Sequence, residues 1–275
     1  MPSWELFIEG IGFWAPKLPG WAATRAILRG EAPVPRAPAP RPTPALLPQT
    51  ERRRAPDTVA VALEVAASAC AAAACAPAGV PSVFASTYGD LGVSDAMCEQ
   101  LARSPLDTSP TRFHHSVHNA AAGYWAIATG CLEPYSALAA HQHTFGIGLV
   151  TAAMQVLEGA RVLYVAYDIE ARGLLATMAP SRGMLGAALL LAPEQTLRSR
   201  ARLALQVDDG RANAPEAPAT RARPENAALV DGNAMADCLA LFEALADEVA
   251  RSLTVTLGER SKLEVQLHPI HPCAR

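Results

Sequence analysis

The sequence has little net charge, no cysteine pairs at metal-binding spacing and no long apolar run without polar breaks. Its 275 residues carry a formal charge of −3, which does not indicate a nucleic-acid partner. No run predicts a membrane-spanning helix, and the start, MPSWELFIEGIGFW, lacks the basic stretch of a signal peptide. We therefore predict a cytoplasmic protein with no integral membrane segment.

The potential metal ligands do not form a convincing site. The six cysteines show no CxxC spacing, which argues against both zinc binding and a disulfide framework. His114, His115 and His118 could place three imidazoles on one helical face, but no acidic or cysteine fourth ligand lies nearby in the sequence. We predict neither a metal nor a cofactor.

Half of the residues are hydrophobic, which is compatible with one α/β domain over residues 1–275. Two proline-containing polar segments, 31–50 and 208–228, are predicted as surface excursions. Because strand-like and helix-like segments alternate, we expect a largely parallel sheet with helices on its faces. The predicted strands are 6–13, 80–86, 135–140, 160–166, 183–191 and 200–207. The predicted helices are 20–28, 58–76 with Asp57 as its cap, 94–103, 144–157 and 231–251, followed by a hairpin at 252–267.

The most informative segment runs from Ser116 to Asp168. Residues 135–140 have the length and composition of a buried strand, and residues 144–157 are apolar at helical spacing, with Gly159 after them. A side chain on such a strand-to-helix turn points into a pocket with helix N–H groups behind it. The turn reads Ala140-His141-Gln142-His143, so it offers no serine or cysteine nucleophile.

Three landmarks in this segment resemble β-ketoacyl synthases, the thiolase-like condensing enzymes. They are the presumed helix Ser116-Val117-His118-Asn119-Ala120-Ala121-Ala122-Gly123, the Gly130/Pro134 approach, and the turn itself. The pattern is most similar to short subunits of the chain-length-factor type found in bacterial aryl polyene and xanthomonadin-type pigment pathways. The resemblance implies an α/β, thiolase-like layered fold. It would be truncated to roughly the amino-terminal half, with a small carboxyl-terminal helix and hairpin.

The resemblance also identifies the position of the missing nucleophile. In these synthases the reactive cysteine lies eight residues after the proline of the approach and seventeen before the glycine that closes the next helix. Counting forward from Pro134 and back from Gly159 leads to Gln142 in both cases. The resemblance therefore implies that Gln142, flanked by His141 and His143, replaces the nucleophile.

This replacement bears directly on catalysis. Claisen condensation begins with a thiolate that accepts an acyl group, and a carboxamide has no comparable nucleophilicity. The two histidines that synthases supply from their carboxyl-terminal half also have no counterpart, because His268 and His271 fall in what reads as an unstructured tail. We therefore predict a subunit that is not an enzyme by itself and has no catalytic residue.

The resemblance further implies partners. Synthases of this superfamily dimerise through the strand before the nucleophile, so residues 135–140 would pair with a full-length ketosynthase that has an intact Cys-His-His set. An acyl carrier protein would contact Arg52, Arg53 and Arg54, which could equally be a solvated charge run. Asn119 and Gly123 would permit close helix packing at the interface. The expected tunnel and interface residues are Ser116, His118, Asn119, Ala120, Gly123, Tyr124, Tyr135, Ser136, Ala137, Leu138, Ala139, Ala140 and Phe145.

Two other functions remain open from the sequence. A free-standing acyl-thioester hydrolase or acyltransferase could use His141 or His143 with a Ser or Asp from elsewhere, although no G-x-S-x-G motif occurs. Alternatively, the chain could be a homodimeric scaffold that recruits carrier protein without chemistry.

Overall fold

Nine β-strands and nine α-helices occur within residues 3–210 and 218–271, the part of the chain that the computed structural model describes. The strands are β1 (Trp4–Ala15), β2 (Leu18–Pro19), β3 (Ser82–Ala85), β4 (Tyr135–Leu138), β5 (Val162–Ile169), β6 (Met184–Ala192), β7 (Ala201–Asp208), β8 (Arg251–Thr256) and β9 (Lys262–Pro269). The helices are α1 (Trp21–Leu28), α2 (Gln49–Arg54), α3 (Asp57–Ala72), α4 (Leu91–Arg103), α5 (Pro110–Ser116), α6 (Ala120–Thr129), α7 (Thr144–Val156), α8 (Pro224–Ala227) and α9 (Leu239–Asp247).

All nine strands join one sheet in the order β4-β3-β5-β6-β1-β7-β9-β8, with β2 paired to β1. Only the β4–β3 and β3–β5 pairs are parallel, whereas the remaining pairs are antiparallel. The expectation of a largely parallel sheet was therefore wrong. The physical reason is that no α-helix connects β5 to β6 or β6 to β7, so these connections do not form the helical crossovers that parallel neighbours need.

The central strand β1 is buried on both faces, and a β-bulge keeps its apolar side chains in register with the core. Leu6 and Ile8 face the same apolar cluster as Ile11 and Phe13, although the spacing from Ile8 to Ile11 breaks the two-residue period. The pairing of β1 with β6 shifts register between Ile8 and Gly10. An inserted residue at this point restores the inward direction of the following side chains.

The residue at the bulge is Glu9, which is fully buried but whose carboxylate has charged and polar partners. Arg161 donates to both Glu9 oxygens at 2.6 and 3.2 Å, and the Thr196 hydroxyl donates at 2.5 Å. Burial by itself would raise the pKa of Glu9, but the hydrogen bonds from Arg161 and Thr196 outweigh it and leave the pKa below its ordinary value. The buried charge is therefore compensated within the fold.

The alanine-rich helix α3 lies on the other face of β1 at backbone distance. A Cβ atom added at Gly10 would fall 2.0 Å from the Ala69 carbonyl oxygen, and one added at Gly12 would fall 2.0 Å from that of Val65. Gly10 and Gly12 of β1 therefore lie against the backbone of Ala69 and Val65, which are four residues apart on α3. This close contact positions the layer that carries α3 and α6.

Several helix boundaries in the structure differ from the predicted ones. Asp57 is the first residue of α3 rather than its cap, and its carboxylate accepts from Arg41 at 2.5 Å. The predicted helix at 58–76 ends at Ala72. The predicted carboxyl-terminal helix, 231–251, is reduced to a 3₁₀ turn and α9.

The chain end and the two excursions also differ in part. The hairpin is present as β8 and β9, and His268 belongs to β9 rather than to a tail. The first excursion, 31–50, has no strand, and α2 begins at its end. Residues 211–217 of the second excursion and residues 272–275 lie outside the described residues, and α8 occupies part of the remainder of that excursion.

None of the helices in the described part of the chain is both long and apolar enough to cross a bilayer.

The contact between β1 and α3 can be tested with Gly12→Ala. We expect this variant to lower the free energy of unfolding by about 1–3 kcal/mol, because the added methyl group forces the strand and helix apart. Urea denaturation would measure the change. The matched control is Gly79→Ala, since a Cβ at Gly79 meets nothing within 4 Å. Equal stability of the two variants would contradict the close contact.

Candidate functional site at the strand-to-helix turn

Strand β4 forms one edge of the sheet and pairs only with β3 within the described residues. It is shorter than the predicted segment 135–140, and it is not buried in the isolated chain: Tyr135 is 40% exposed and the other three residues are intermediate. The prediction of a buried strand was wrong for the single chain. The reason is that no other strand of the described residues lies on the outer side of β4.

The direction of the β4 backbone can be read from its bonds to β3. Ser82 N–H donates to the Pro134 carbonyl at 3.1 Å, and Ser86 N–H donates to the Leu138 carbonyl at 3.2 Å. Because backbone groups alternate along a strand, Pro134, Ser136 and Leu138 face β3. The N–H and C=O groups of Tyr135 and Ala137 therefore point away from the sheet, where a further strand could bind them.

The turn after β4 is closed by Thr144, the first residue of α7. The Thr144 hydroxyl donates to the His141 carbonyl at 2.6 Å and accepts from the Ala140 N–H at 3.0 Å. The His143 N–H donates to the Ala140 carbonyl at 3.0 Å. His141 has a φ of 50°, so the residue in the left-handed region is His141 rather than Gln142.

Gln142 lies at this sharp bend between strand and helix, where the sequence placed it, and its side chain is exposed. Its Nε2 lies 3.5 Å from Nε2 of His143. The His143 Nδ1 is buried and has no hydrogen-bond partner among the described residues. Gln142 and His143 therefore lie on the same side of the turn.

Asp237, just before α9, is the acidic group that faces His143. Burial raises the pKa of the Asp237 carboxyl above its ordinary value, while electrostatic interactions with the His143 and Arg221 side chains act in the opposite direction. No serine or cysteine side chain is hydrogen-bonded to His141 or His143 in the part of the chain that the structure describes. The alternative of a hydrolase therefore has no Ser–His or Cys–His contact at this turn among the described residues.

The amino-terminal turn of α7 is held against the sheet by a buried tyrosine. The Tyr164 hydroxyl donates to the Phe145 carbonyl at 2.7 Å, and burial raises the pKa of Tyr164 well above its ordinary value. Gly148 admits this ring, because a Cβ there would fall 2.7 Å from it. Gly146 similarly admits the Thr256 carbonyl of β8. The helix start is therefore fixed from two sides.

The segment Ser116–Gly123 is not one helix, so that prediction was wrong. Helix α5 ends at Ser116, residues 117–119 are not helical, and α6 starts at Ala120. The break gives His118 a separate position: its Nε2 is 3.0 Å from the Leu138 carbonyl at the end of β4. Asn119 donates to the Tyr135 hydroxyl at 3.4 Å. Both side chains thus contact the edge strand.

The break also separates the three histidines. His115 is paired with the Tyr124 hydroxyl at 2.9 Å, and His114 stacks near the same ring, whereas His118 contacts β4. No cluster of three or more His, Cys, Asp or Glu side chains suited to a metal ion occurs within the described ranges.

Two expected tunnel or interface residues are buried inside this chain. Ala120 is 6% exposed and Phe145 is 3% exposed, and each packs in a hydrophobic cluster. Their assignment to the tunnel or interface stays a prediction. Gly123 is different, because a Cβ there would meet nothing within 4 Å. Its small size is not required by any contact within the described chain. The remaining expected residues, Ser116, His118, Asn119, Tyr124, Tyr135, Ser136, Ala137, Leu138, Ala139 and Ala140, are exposed or intermediate.

The three consecutive arginines form the second half of α2 and differ in their surroundings. Arg52 donates to the Leu47 carbonyl at 2.6 Å and thereby holds the proline-rich excursion. Arg53 and Arg54 are exposed. Only these two side chains are therefore free to meet another molecule.

The sequence analysis missed a buried carboxylate at the end of β5. Asp168 accepts from the Ser86 hydroxyl at 2.8 Å and from the Thr87 and Tyr88 N–H groups at 2.8 and 3.2 Å. Burial raises the pKa of Asp168 even though these hydrogen bonds act to lower it. The signal was an aspartate in the otherwise uncharged segment VLYVAYDI. Its role is to fix the segment that follows β3.

The profile of the family described as "Beta-ketoacyl synthase, N-terminal domain" matches residues 21–251, which is most of the chain. The chain belongs to this β-ketoacyl synthase family. No curated protein matches it.

Solved structures of the same fold include chains of ketosynthase complexes. A chain of the ketosynthase ApeO in complex with its chain length factor ApeC, from Xenorhabdus doucetiae, is 19% identical with a TM-score of 0.70, covering 95% of this chain and 98% of that one. A chain of the ishigamide ketosynthase/chain length factor is 16% identical with a TM-score of 0.70, covering 97% and 99%. A chain of the AntDE:AntF complex, a type II polyketide synthase carrier protein with its ketosynthase, is 9% identical with a TM-score of 0.72, covering 98% and 100%.

These similarities confirm the thiolase-like, ketosynthase-like fold, and the family membership confirms the recognition made from the Ser116–Asp168 segment. At these identities the structures bear on the fold alone. The roles of individual site residues stay predictions.

The backbone of the turn can be tested with His141→Gly. Because a non-glycine residue in the left-handed region is disfavoured, we expect this variant to keep or raise the free energy of unfolding, by up to about 1 kcal/mol. Gln142→Gly should give no such gain. Chemical denaturation of both variants would measure the difference, and a gain only for Gln142→Gly would contradict the observed turn.

Proposed function

We propose that this protein is a non-catalytic subunit of a ketosynthase pair, comparable to a chain length factor. Its partner would be a full-length ketosynthase with an intact Cys-His-His set, and the pair would elongate acyl chains on a carrier protein in fatty-acid-like, polyene or polyketide biosynthesis. The observation that carries the proposal is the glutamine at a turn of ketosynthase architecture, directly after an edge strand that pairs on one side only among the described residues.

The chemistry of the turn supports the absence of catalysis. In the condensing enzymes the acyl-enzyme forms when a cysteine thiolate attacks the thioester and expels the carrier thiolate. The turn presents the Gln142 carboxamide and two imidazoles. The His143 ring contacts Gln142 rather than a hydroxyl or thiol. The turn therefore offers no thiol for the acyl-enzyme of a condensing enzyme.

The edge strand supports a partner. The outward N–H and C=O groups of Tyr135 and Ala137 would be satisfied by an added strand, and Tyr135 brings an amphipathic ring of the kind common in interfaces. His118 and Asn119 contact β4 through the Leu138 carbonyl and the Tyr135 hydroxyl, respectively. These residues, with Ser116, Gly123 and Tyr124, would border the end of the partner's acyl tunnel.

Carrier-protein contact is assigned to Arg53 and Arg54. Both are exposed on α2, and guanidinium groups suit an acidic protein surface or a phosphate. The Arg52 side chain is instead held within the fold by its hydrogen bond to the Leu47 carbonyl. The proposed contact would therefore weaken at higher salt.

Co-expression with the candidate synthase, followed by an elongation assay on a carrier-bound acyl substrate, tests the proposed function. We expect elongation by the pair, none by this chain alone, and reduced activity or stability of the synthase without it. Native mass spectrometry should show a one-to-one heterodimer. Elongation by this chain alone, or a synthase equally active and stable without it, would contradict the proposal. A homodimer unaffected by the synthase would favour the scaffold function.

Ala137→Pro tests more directly whether the synthase binds through the outer edge of β4. Proline removes the outward N–H of residue 137 while leaving the bonds of Ser136 and Leu138 to β3. We expect normal folding of this chain and at least about a tenfold loss of affinity for the synthase, equal to about 1.4 kcal/mol. Ala137→Val, which retains the N–H, is the matched control. Unchanged pairing of the proline variant would show that β4 is not the contact.

A further inference from the structure

Helix α3 ends in a Schellman motif that brings two cysteines together. The Cys75 N–H donates to the Cys70 carbonyl at 3.0 Å, and the Ala74 N–H donates to the Ala71 carbonyl at 3.0 Å. Ala74 has a φ of 47°, the left-handed conformation that closes such a motif. Cys70 therefore lies in the last turn of α3, and Cys75 follows the left-handed residue directly.

The motif limits the distance between the two cysteines. A backbone hydrogen bond of 3.0 Å from Cys75 to Cys70 keeps their Cα atoms within roughly 7 Å of each other, which is the reach of a disulfide. Side chains at these two positions of a Schellman motif commonly pack against each other. In agreement with this, Cys70 belongs to the hydrophobic cluster that contains α3, and Cys75 packs against the same cluster.

The two thiols differ in exposure. Cys70 is 3% exposed, and burial, together with the nearby Cys75 and Cys131, raises its pKa to about 12. Cys75 is partly exposed, and its thiol contacts the Ala76 carbonyl at 3.8 Å. An oxidant in solution therefore reaches Cys75 first, whereas Cys70 is shielded and protonated.

The other cysteines of the described ranges have different surroundings, and all five thiols there are free. Cys98 is exposed on α4, and Cys238 is fully buried. Cys131 is buried, and its thiol donates to the Val80 carbonyl at 3.6 Å. Cys131 is therefore the competing partner that an experiment must distinguish.

We propose that Cys70 and Cys75 form a reversible disulfide when hydrogen peroxide oxidises Cys75. The Cys75 thiolate attacks one peroxide oxygen and becomes a sulfenic acid, and the other oxygen leaves as water after taking up a proton. Cys70 then gives up its proton, its sulfur attacks the Cys75 sulfur, and the hydroxyl group leaves with a proton as a second water. Two thiols and one peroxide thus become one disulfide and two waters.

The disulfide would close the last turn of α3 beside the contact of this helix with β1. A Cβ added at Gly10 would lie 3.2 Å from the Cβ of Ala73, which is between the two cysteines. The modification needs neither Gln142 nor a synthase partner. It is therefore independent of the proposed function.

Peroxide treatment of the isolated chain tests the proposal. The peroxide concentration is raised until the exposed Cys98 is oxidised, so this thiol serves as an internal standard. Remaining thiols are alkylated in denaturant, and trypsin with chymotrypsin then releases residues 55–84, a fragment whose only cysteines are Cys70 and Cys75. We expect this fragment to be unalkylated and lighter by two hydrogen atoms. After reduction with dithiothreitol it should take up two alkyl groups.

Substitutions identify the pair. Cys75→Ser and Cys70→Ala should each abolish the loss of two hydrogen atoms, because one sulfur of the bond is missing. Cys131→Ala removes the competing thiol, and Cys98→Ser removes an exposed one. Both are matched controls and should leave the disulfide in the 55–84 fragment unchanged.

Three results would overturn the proposal. The first is a 55–84 fragment with both thiols alkylated although Cys98 is oxidised. The second is a disulfide that joins this fragment to another cysteine, and the third is Cys75 as a sulfinic or sulfonic acid with Cys70 alkylated. The fragment of the unaltered chain decides among these outcomes, so the test stands even if a variant fails to fold.

Discussion

The backbone edge of β4 is the constraint on which the functional account depends. A short strand at the end of a nine-stranded sheet, bonded to β3 on one side only, leaves the N–H and C=O groups of Tyr135 and Ala137 without sheet partners within the described chain. Water can satisfy these groups, but a strand from another subunit can satisfy them while also covering Tyr135. The same strand leads directly into the turn that carries Gln142, so an added strand would also position that turn.

The interior is arranged to hold this edge in place. The close contact of Gly10 and Gly12 with α3 locates one helical layer, and the Tyr164 bond to Phe145 locates α7 on the other face. His118 and Asn119 then tie the break between α5 and α6 to β4. These contacts hold the β4 edge and the start of α7 in place within the chain, which is what the proposed subunit would need in order to pair with a synthase without rearranging.

The local pattern of the sequence predicted much of this fold. Two-residue and helical periods identified β1, β5, β6, β7, the final hairpin, α1 and α7, and the polar turn before α7 identified the bend at Gln142. The strand directions were not predictable in the same way, because they depend on which strands become neighbours after the chain folds. The β1 bulge at Glu9 was not predictable either, because the partners of its buried carboxylate, Arg161 and Thr196, come from distant parts of the chain.

The site was predicted less completely than the fold. The spacing from Pro134 and Gly159 located Gln142, but nothing local indicated that residues 117–119 would break the helix or that Asp237 would face His143. The burial of Ala120 and Phe145 was also not predicted, because their positions in the chain do not show which way their side chains pack. Side-chain direction at such positions follows from long-range packing, which a single sequence does not display.

The central claim is that this chain accepts no acyl group, and intact-protein mass spectrometry tests it most directly. The purified pair would be incubated with an acyl-carrier thioester, and the mass of each subunit would be measured. The account predicts that the acyl mass appears only on the synthase and that this subunit keeps its unmodified mass. An acyl adduct on this subunit, formed in the pair or alone, would contradict the account.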